Sequence, residues 1–252
     1  MRIFLWILAA LFLVPLAFSI ARGMAYDGSW RDAPRHSAGL APDPTKTQEA
    51  VVQIYTARAF SWRGYVATHP WIIIKRAGAK QFDRYEVVGW GGGPSLKKNY
   101  ALPDGYWFGA EPSIMAEYRG PGTEQLIDRI EAAIETYPFK DRYLSWPGPN
   151  SNTFLAHVAR EVPELRLDIP ANAIGKDYRA WDAPVAYAPS GTGVQLSLLG
   201  VAGLTLGVEE GVEVNVLGLN LGIDFLRPAL RVPGLGRIGF PEDVARETVA
   251  AD

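Results

Sequence analysis

The spacing of hydrophobic residues changes along the chain, and each change predicts a different kind of element. An alternating pattern starts near Ala50, and residues 71–75 form a continuous apolar run that is typical of a strand buried on both faces. Residues 84–90 predict the next strand, so these two strands form an antiparallel hairpin. Residues 123–137 instead place their apolar side chains at helical spacing, which predicts an amphipathic helix.

A second helix is predicted to begin beside Ser151, because apolar residues recur at helical spacing until Pro163 ends the run. From Gly193 to Phe225 apolar residues alternate with polar residues or glycine, which predicts a half-buried antiparallel meander. Together the patterns predict an α+β fold. In this fold an antiparallel sheet packs on helices, and a C-terminal antiparallel β-meander extends it.

The N-terminal run, residues 3–21, contains no charged residue and approaches the ~20 residues that cross a bilayer as a helix. Pro15 interrupts it, and small residues near positions 17–19 and 23–25 offer weak cleavage patterns. We therefore expect residues 1–25 to be a membrane anchor or a signal segment. The body of the protein is expected on the periplasmic or extracellular side, either held at the membrane or secreted after cleavage.

The rest of the chain divides by composition. Residues 26–49 mix glycine, serine, proline and both charge signs without periodicity, and this predicts a tether. The expected units after it are an α+β domain at residues 50–192, a meander extension of the same domain at 193–238 and a solvent-exposed tail at 239–252.

Composition excludes several functions. The chain has 252 residues, is 48% hydrophobic and has a net charge of −2, so it can bury a full core but lacks the basic surface that binds nucleic acid. It has no cysteine, which excludes disulfides, thiolate metal sites and a cysteine nucleophile. Its three histidines lack the spacing of metal ligands. We expect neither a metal nor a cofactor.

The stretch at residues 146–154 is the first candidate for chemistry. Its two prolines restrict the backbone, and the helix begins directly afterwards, so Ser151 or Asn152 is predicted at the N-cap. A helix N-terminus has free backbone N–H groups and a positive dipole end, which favour a nucleophile that develops negative charge. The alternative is that Ser151 simply caps the helix.

His69 is the second candidate, at the start of the first hairpin strand and directly before Pro70. Aromatic residues are frequent around it, including Trp71 in the same strand and Trp90 at the end of the next one. A histidine placed in this way is a candidate member of a cleft. The alternative is a hydrogen-bonded structural histidine.

Glu86 lies in the second hairpin strand, where alternation places its carboxylate on the same face as Arg84 and Val88. We expect this carboxylate to reach the His69 ring. The alternative is an exposed ion pair with Arg84 or Lys75, which contributes little to stability.

Four segments carry a resemblance to known families: residues 69–72, 85–90, 146–154 and 173–178. They resemble an uncharacterised bacterial family known only as a numbered domain of unknown function (number three thousand seven hundred and fifty), over nearly the whole chain. More distantly, the order of histidine, polar residue and helix N-terminus resembles the circularly permuted branch of the NlpC/P60 papain-like superfamily. In that branch the nucleophile is a cysteine in a pattern similar to Asn-Cys-x-x-Phe, which Asn150 to Phe154 match with serine in place of cysteine.

This resemblance implies a papain-like fold for residues 50–192 and a catalytic set of Ser151, His69 and Glu86. Because serine is not stored as an anion, Ser151 would need His69 as general base, with Glu86 orienting the imidazole. Substrate contacts are expected from the following residues: Asn150, Asn152, Trp71, Trp90 and Trp146.

Two functions follow from these expectations. The first is a serine-dependent hydrolase or transferase that acts on an amide or ester in the cell envelope. The alternative is a catalytically inactive papain-like module that binds an envelope peptide or glycan. A hydrogen bond between Ser151 and His69 would favour the enzyme.

Overall fold

The computed structural model describes residues 2–241 and 245–249 and contains three helices and thirteen strands within them. The helices are α1 (Arg2–Ala21), α2 (Thr123–Glu135) and α3 (Ser151–Glu161). The strands are β1 (Val51–Arg58), β2 (Thr68–Lys75), β3 (Asp83–Val87), β4 (Leu96–Lys98), β5 (Ser113–Arg119), β6 (Val185–Tyr187), β7 (Gly193–Leu198), β8 (Ala202–Gly207), β9 (Gly211–Val216), β10 (Leu219–Asp224), β11 (Ala229–Val232), β12 (Gly236–Gly239) and β13 (Ala245–Thr248).

The first sheet has the strand order β13-β5-β1-β2-β3-β4 and carries the predicted hairpin. Strand β2 is buried along its whole length, and β3 pairs with it antiparallel, with Ile72 opposite Tyr85. The prediction of a buried strand at residues 71–75 is therefore confirmed. Because β2 lies inside the sheet, both of its faces need apolar side chains, and this explains the continuous apolar run.

Helices α2 and α3 cover one face of the first sheet. Ile72 and Ile74 of β2 pack there with Ile127 of α2 and Phe154 of α3. On the opposite face, a smaller cluster is formed by the side chains of Val51, Tyr55, Trp71, Ile73, Phe82, Val88 and Trp107. The predicted α+β class, with an antiparallel sheet packed on helices, is confirmed.

The second sheet is an antiparallel meander in which strands β6 to β12 pair in chain order. The predicted C-terminal meander is therefore confirmed, but its buried side is unusual. A one-sided antiparallel sheet normally turns its apolar side chains to the core, whereas here Gln195 and Glu213 are buried while Leu196 and Val214 are exposed. Polar groups in the chain segment before β6 receive the inward side chains, as Asp177 does for Gln195.

The predicted N-terminal membrane or signal segment forms helix α1, and its last turns pack on the body of the protein. The hydroxyl of Ser19 donates a hydrogen bond of 2.7 Å to the carbonyl of Tyr65, and Ser19 is fully buried. Within residues 2–241 and 245–249, no helix combines the length and the apolar character that crossing a membrane requires.

Part of the segment expected to be a tail, residues 239–252, belongs to the first sheet instead. Strand β13 pairs parallel with β5, with Arg246 opposite Glu117, and so adds an edge strand. The expected tail therefore contains a strand at residues 245–248, because residues without clear periodicity still provide backbone groups for pairing. Met1 of the N-terminal segment, and residues 242–244 and 250–252 of the expected tail, lie outside the described residues.

Candidate functional site

Helix α3 is capped by Asn150, which lies directly before its first residue. The Oδ1 atom of Asn150 accepts hydrogen bonds from the backbone N–H of Asn152 at 2.9 Å and of Thr153 at 3.2 Å. The backbone N–H of Asn150 donates in return to Oγ1 of Thr153 at 3.0 Å, which completes a capping box. The predicted N-cap at Ser151 or Asn152 was wrong by one or two positions, because the asparagine amide side chain reaches both backbone groups.

Ser151 is therefore the first residue of the helix and has no capping function. Neither its hydroxyl nor its backbone N–H forms a hydrogen bond with any residue that the structure describes. Its side chain lines a cavity, although only 3% of the residue is exposed. The alternative in which Ser151 only caps the helix does not hold.

The start of α3 is held against the first sheet by Asn152. Its Nδ2 atom donates to the carbonyl of Thr68 at 3.0 Å and to the carbonyl of Ile174 at 2.9 Å. Since Thr68 directly precedes His69 in β2, these bonds bring the helix N-terminus next to the histidine. Ser151 and His69 consequently line the same cavity.

His69 is held by an acid on one side and by an indole ring on its face. Its Nε2 atom lies 3.0 Å from Oε2 of Glu86. The imidazole stacks on Trp107, with ring centroids 3.6 Å apart and planes 5° apart. A carboxylate can only accept, so the proton of a neutral imidazole belongs on Nε2. The Nδ1 atom, which makes no hydrogen bond to a described residue, is then an available acceptor.

Glu86 pairs with Arg84 as well as with His69, so the expected contact with His69 is present and the alternative of an exposed ion pair does not hold. The Nη2 atom of Arg84 donates to Oε2 at 3.0 Å, and Nε lies 2.7 Å from Oε1. The pair with Arg84 is fully buried rather than exposed. Lys75 takes no part, because its Nζ atom donates to the carbonyl of Glu49.

Arg84 is itself tied to the surrounding loop and to the aromatic cluster. Its guanidinium lies 4.1 Å from the ring centroid of Trp71, and Nη1 donates to the carbonyl of Leu102 at 2.6 Å. The cation–π contact and the charge-assisted hydrogen bond to Glu86 reduce the cost of burying this charge. Arg84 thus holds the Glu86 carboxylate in the orientation that meets His69.

Burial and charge together set the protonation of the site. Burial lowers the pKa of His69 below its ordinary value, because it disfavours the imidazolium more than Glu86 favours it. Burial alone would raise the pKa of Glu86, but the hydrogen bond with His69 and the charge of Arg84 outweigh burial and lower it. Near neutral pH the site therefore holds a neutral imidazole and a carboxylate.

The cavity beside Ser151 and His69 has a volume of about 910 Å³. Aromatic side chains form much of its wall: Trp30, Phe60, Trp90, Tyr100, Trp107 and Phe108. Arg35 and Arg63 also line it, and no acidic residue of the described chain does. The wall is therefore aromatic and positively charged, a combination that suits an anionic ligand with a flat or apolar part.

The residues expected to contact substrate separate into two groups. Trp90, Asn150 and Asn152 line the cavity. Trp71 lies in the smaller core cluster and donates to the carbonyl of Pro103, and Trp146 donates to the carbonyl of Leu217 in the second sheet. The structure thus places these last two side chains away from the cavity wall.

Sequence reasoning did not place the residues of irregular chain against His69. Trp107 lies between strands, where no period signals its position against His69. Arg35 comes from the predicted tether. Arg84 was recognisable in part, because strand alternation places it on the face of Glu86.

This is an α+β protein with a buried His–Glu–Arg set and a capped helix N-terminus at one aromatic cavity. A family model described as a protein of unknown function (DUF3750) matches residues 49–178, and the chain belongs to that family. The match begins just before β1 and ends at Tyr178, so it covers about half of the chain rather than nearly all of it, and it contains Ser151, His69 and Glu86. No curated protein and no solved structure matches the chain. The resemblance to the NlpC/P60 superfamily stays a prediction.

Proposed function

We propose that the protein is a serine-dependent acyl hydrolase or transferase that acts on an amide or an ester. Its nucleophile is Ser151, its general base is His69, and Glu86 orients the imidazole. One observation carries the proposal: Ser151 and His69, whose Nδ1 atom makes no hydrogen bond to a described residue, line the same cavity.

In this reaction the Ser151 Oγ atom attacks the substrate carbonyl while its proton passes to Nδ1 of His69. The tetrahedral intermediate then collapses, and the leaving amine or alcohol takes that proton. Water completes hydrolysis, whereas a second amine or alcohol completes transfer. His69 serves as base in each half of the cycle, since its lowered pKa keeps it neutral near pH 7.

The oxyanion would meet the N-terminus of α3, but only part of it is free. The N–H groups of Asn152 and Thr153 already donate to Asn150. The N–H of Ser151 is the group in this turn that has no such bond, and it is the donor we assign. The helix dipole adds stabilisation in the same direction.

The cavity wall suggests the substrate class. Arg35 and Arg63 favour a negative group, and the aromatic side chains favour an apolar or flat one. A peptide or glycan fragment of the cell envelope that carries a carboxylate has this chemistry. The uncharged run at residues 3–21 supports a place in the envelope, at the membrane or secreted.

A second candidate is a papain-like module that binds such a ligand without turnover. It is favoured by one observation: no hydrogen bond joins Ser151 to His69 among the described contacts. In this alternative Asn150 and Asn152 shape the turn, and the cavity only binds.

A fluorophosphonate probe separates the two candidates, because it forms a covalent bond with an activated serine and releases fluoride. Purified full-length protein is treated with the probe, and peptide mass spectrometry locates the adduct. We expect the adduct on Ser151, and we expect it to be lost in Ser151→Ala and in His69→Asn. Ser145→Ala is the matched control, since Ser145 lines the same cavity, and it should label normally. Unlabelled wild-type protein of intact fold would favour the binding module.

A further inference from the structure

The outward side of the second sheet is apolar from edge to edge. One row of cross-strand neighbours crosses all seven strands: Tyr187, Val194, Leu206, Val212, Ile223, Leu230 and Ile238. A parallel row contains Val185, Leu196, Leu204, Val214 and Leu221. Neighbouring strands lie about 4.8 Å apart, so the first row is roughly 30 Å wide. No outward strand position in this sheet, all of which the structure describes, carries a charge.

The hydrogen bonds on the inward side of the sheet explain why its polar side chains stay buried and its apolar side chains stay outward. The carboxylate of Asp177 accepts hydrogen bonds from the amides of Gln195, Asn215 and Asn220. Glu213 pairs with Lys176 and Arg231 in the same layer. A one-residue slip of register would expose this network and bury the leucines and valines among its charges. The apolar side is therefore held outward.

The composition of this surface changes from its centre to its rim. Strands β7 to β11 present aliphatic side chains outward, and aromatic ones stand at the margins. Tyr187 belongs to the edge strand β6, Phe225 follows β10, Phe240 follows the edge strand β12, and Trp146 contacts the β9–β10 turn. Aliphatic residues at the centre with aromatic residues around them match the layers of a bilayer surface.

Two hairpin turns extend the apolar surface at a conformational cost. Leu199 and Leu217 both have positive φ angles, of 54° each, and both are exposed. Glycine, asparagine and aspartate are the residues that usually occupy this conformation. Exposure to water does not stabilise a leucine at this position. Burial of its side chain in an apolar phase that covers the turn would stabilise it.

Helix α1 adjoins the second sheet. It contacts β10 and β11, and it belongs to the uncharged run at residues 3–21. Its exposed side chains include Ile3, Trp6, Ile7, Leu13, Val14 and Phe18. The outward strand positions of the sheet and the run at residues 3–21 offer no charged side chain, whereas a typical interface between two proteins also contains about ten hydrogen bonds. A surface that contacts lipid hydrocarbon needs only apolar side chains.

We propose that the outward side of this sheet lies on a phospholipid bilayer and buries its leucine and valine side chains in one leaflet. Strands of six residues span about 20 Å, which is too short to cross the hydrocarbon, and the edges of the sheet are open. The sheet therefore lies flat, with its edges and aromatic rim at the headgroups. This attachment is separate from the proposed chemistry at Ser151.

Spin labelling tests the attachment, because the chain contains no cysteine and a single one can be placed at will. Nitroxides are attached to Leu204→Cys and to Val214→Cys in the full-length protein, with Asp128→Cys on the exposed side of α2 as the matched control. The proteins are mixed with vesicles of phosphatidylethanolamine and phosphatidylglycerol. Accessibility to oxygen, which concentrates in hydrocarbon, is compared with accessibility to a nickel chelate, which stays in water.

We expect vesicles to raise the oxygen accessibility and lower the nickel accessibility at positions 204 and 214, with no change at 128. Vesicle binding through α1 alone would leave all three labels in water and would overturn the proposal. Strong spin–spin broadening at 204 and 214 in vesicles, without a gain in oxygen accessibility, would assign the surface to a second copy of the chain instead. Thermal melting of each variant confirms that its fold is intact.

Discussion

The Nε2 atom of His69 lies 3.0 Å from Oε2 of Glu86, and both side chains are buried. This bond leaves Nδ1 as the ring nitrogen available to another group, and Nδ1 belongs to a residue on the cavity wall. Arg84 donates to the same Oε2 atom and its Nε lies 2.7 Å from Oε1, so the carboxylate is fixed and the imidazole has one orientation and one tautomer. Such an arrangement suits a general base.

Replacing Ser151 by alanine should leave stability nearly unchanged. The Ser151 side chain makes no hydrogen bond to a described residue, so we expect a loss of no more than about 1 kcal/mol in the free energy of unfolding. Asn150→Ala removes the cap and two further bonds, to Ser145 and Ile174, and should cost about 2 kcal/mol or more. Urea denaturation measures both values. Equal losses for the two variants would show that Ser151 has a structural function.

Replacing Ser151 by cysteine should create a thiol that reacts with iodoacetamide much faster than an ordinary exposed one at neutral pH. The N-terminus of α3 favours the thiolate, and so does His69 once it takes the thiol proton. Ser145→Cys is the control, because it lies on the same cavity wall but outside the helix. The rate of labelling is followed by mass spectrometry. Similar rates at 145 and 151 would count against an assembled catalytic pair.

The pH dependence of probe labelling should follow His69. Burial lowers its pKa below the ordinary 6.5, so the base stays neutral as pH falls through 6.5 and the reaction should be lost only at lower pH. The free energy of unfolding should also fall at low pH. The unfolded chain takes up this proton at a higher pH than the folded chain does, so the folded state loses stability as pH falls below 6.5. Labelling rates measured across pH give the midpoint. A midpoint above 6.5 would contradict the burial argument.

Replacing Glu86 by glutamine should destabilise the protein by about 3–5 kcal/mol, because Arg84 is then buried without its counter-ion. Glu49→Gln removes an exposed partner of Arg119 and should cost only about 0–1 kcal/mol. The lowered pKa of Glu86 means that its contribution is present above pH 4.5 and is lost as pH falls through the folded value. Thermal and urea unfolding measure the stability of both variants. Equal stability of the two variants would contradict the importance of the buried pair.

The N-terminal segment should place the body outside the cytoplasm. Protease added to spheroplasts is expected to degrade residues 50–239 in the wild type, since we expect the uncharged run at 3–21 to act as an export signal. Removal of residues 2–21 should make the body resistant. If the wild-type body resists while a periplasmic control protein is degraded, the expected location is wrong.

The strand at 71–75 and the C-terminal meander were predictable because their signals are local. A continuous apolar run marks a strand with neighbours on both faces, and period-two alternation marks a sheet with two different sides. Which side of the meander is buried was not predictable from alternation alone. That depended on Lys176 and Asp177, which lie in irregular chain and receive the polar side chains.

At the candidate site the sequence by itself determined the residue types and their approximate elements: His69 at the start of a strand, Glu86 on its neighbour and Ser151 at the start of a helix. Only the tertiary structure decided that Asn150, and not Ser151, caps α3, and that Arg84 holds Glu86 in a buried pair. The physical reason is that periodicity reports which side of an element an atom faces. Hydrogen bonds, stacking and burial instead depend on which distant segments meet, and the sequence does not state that locally.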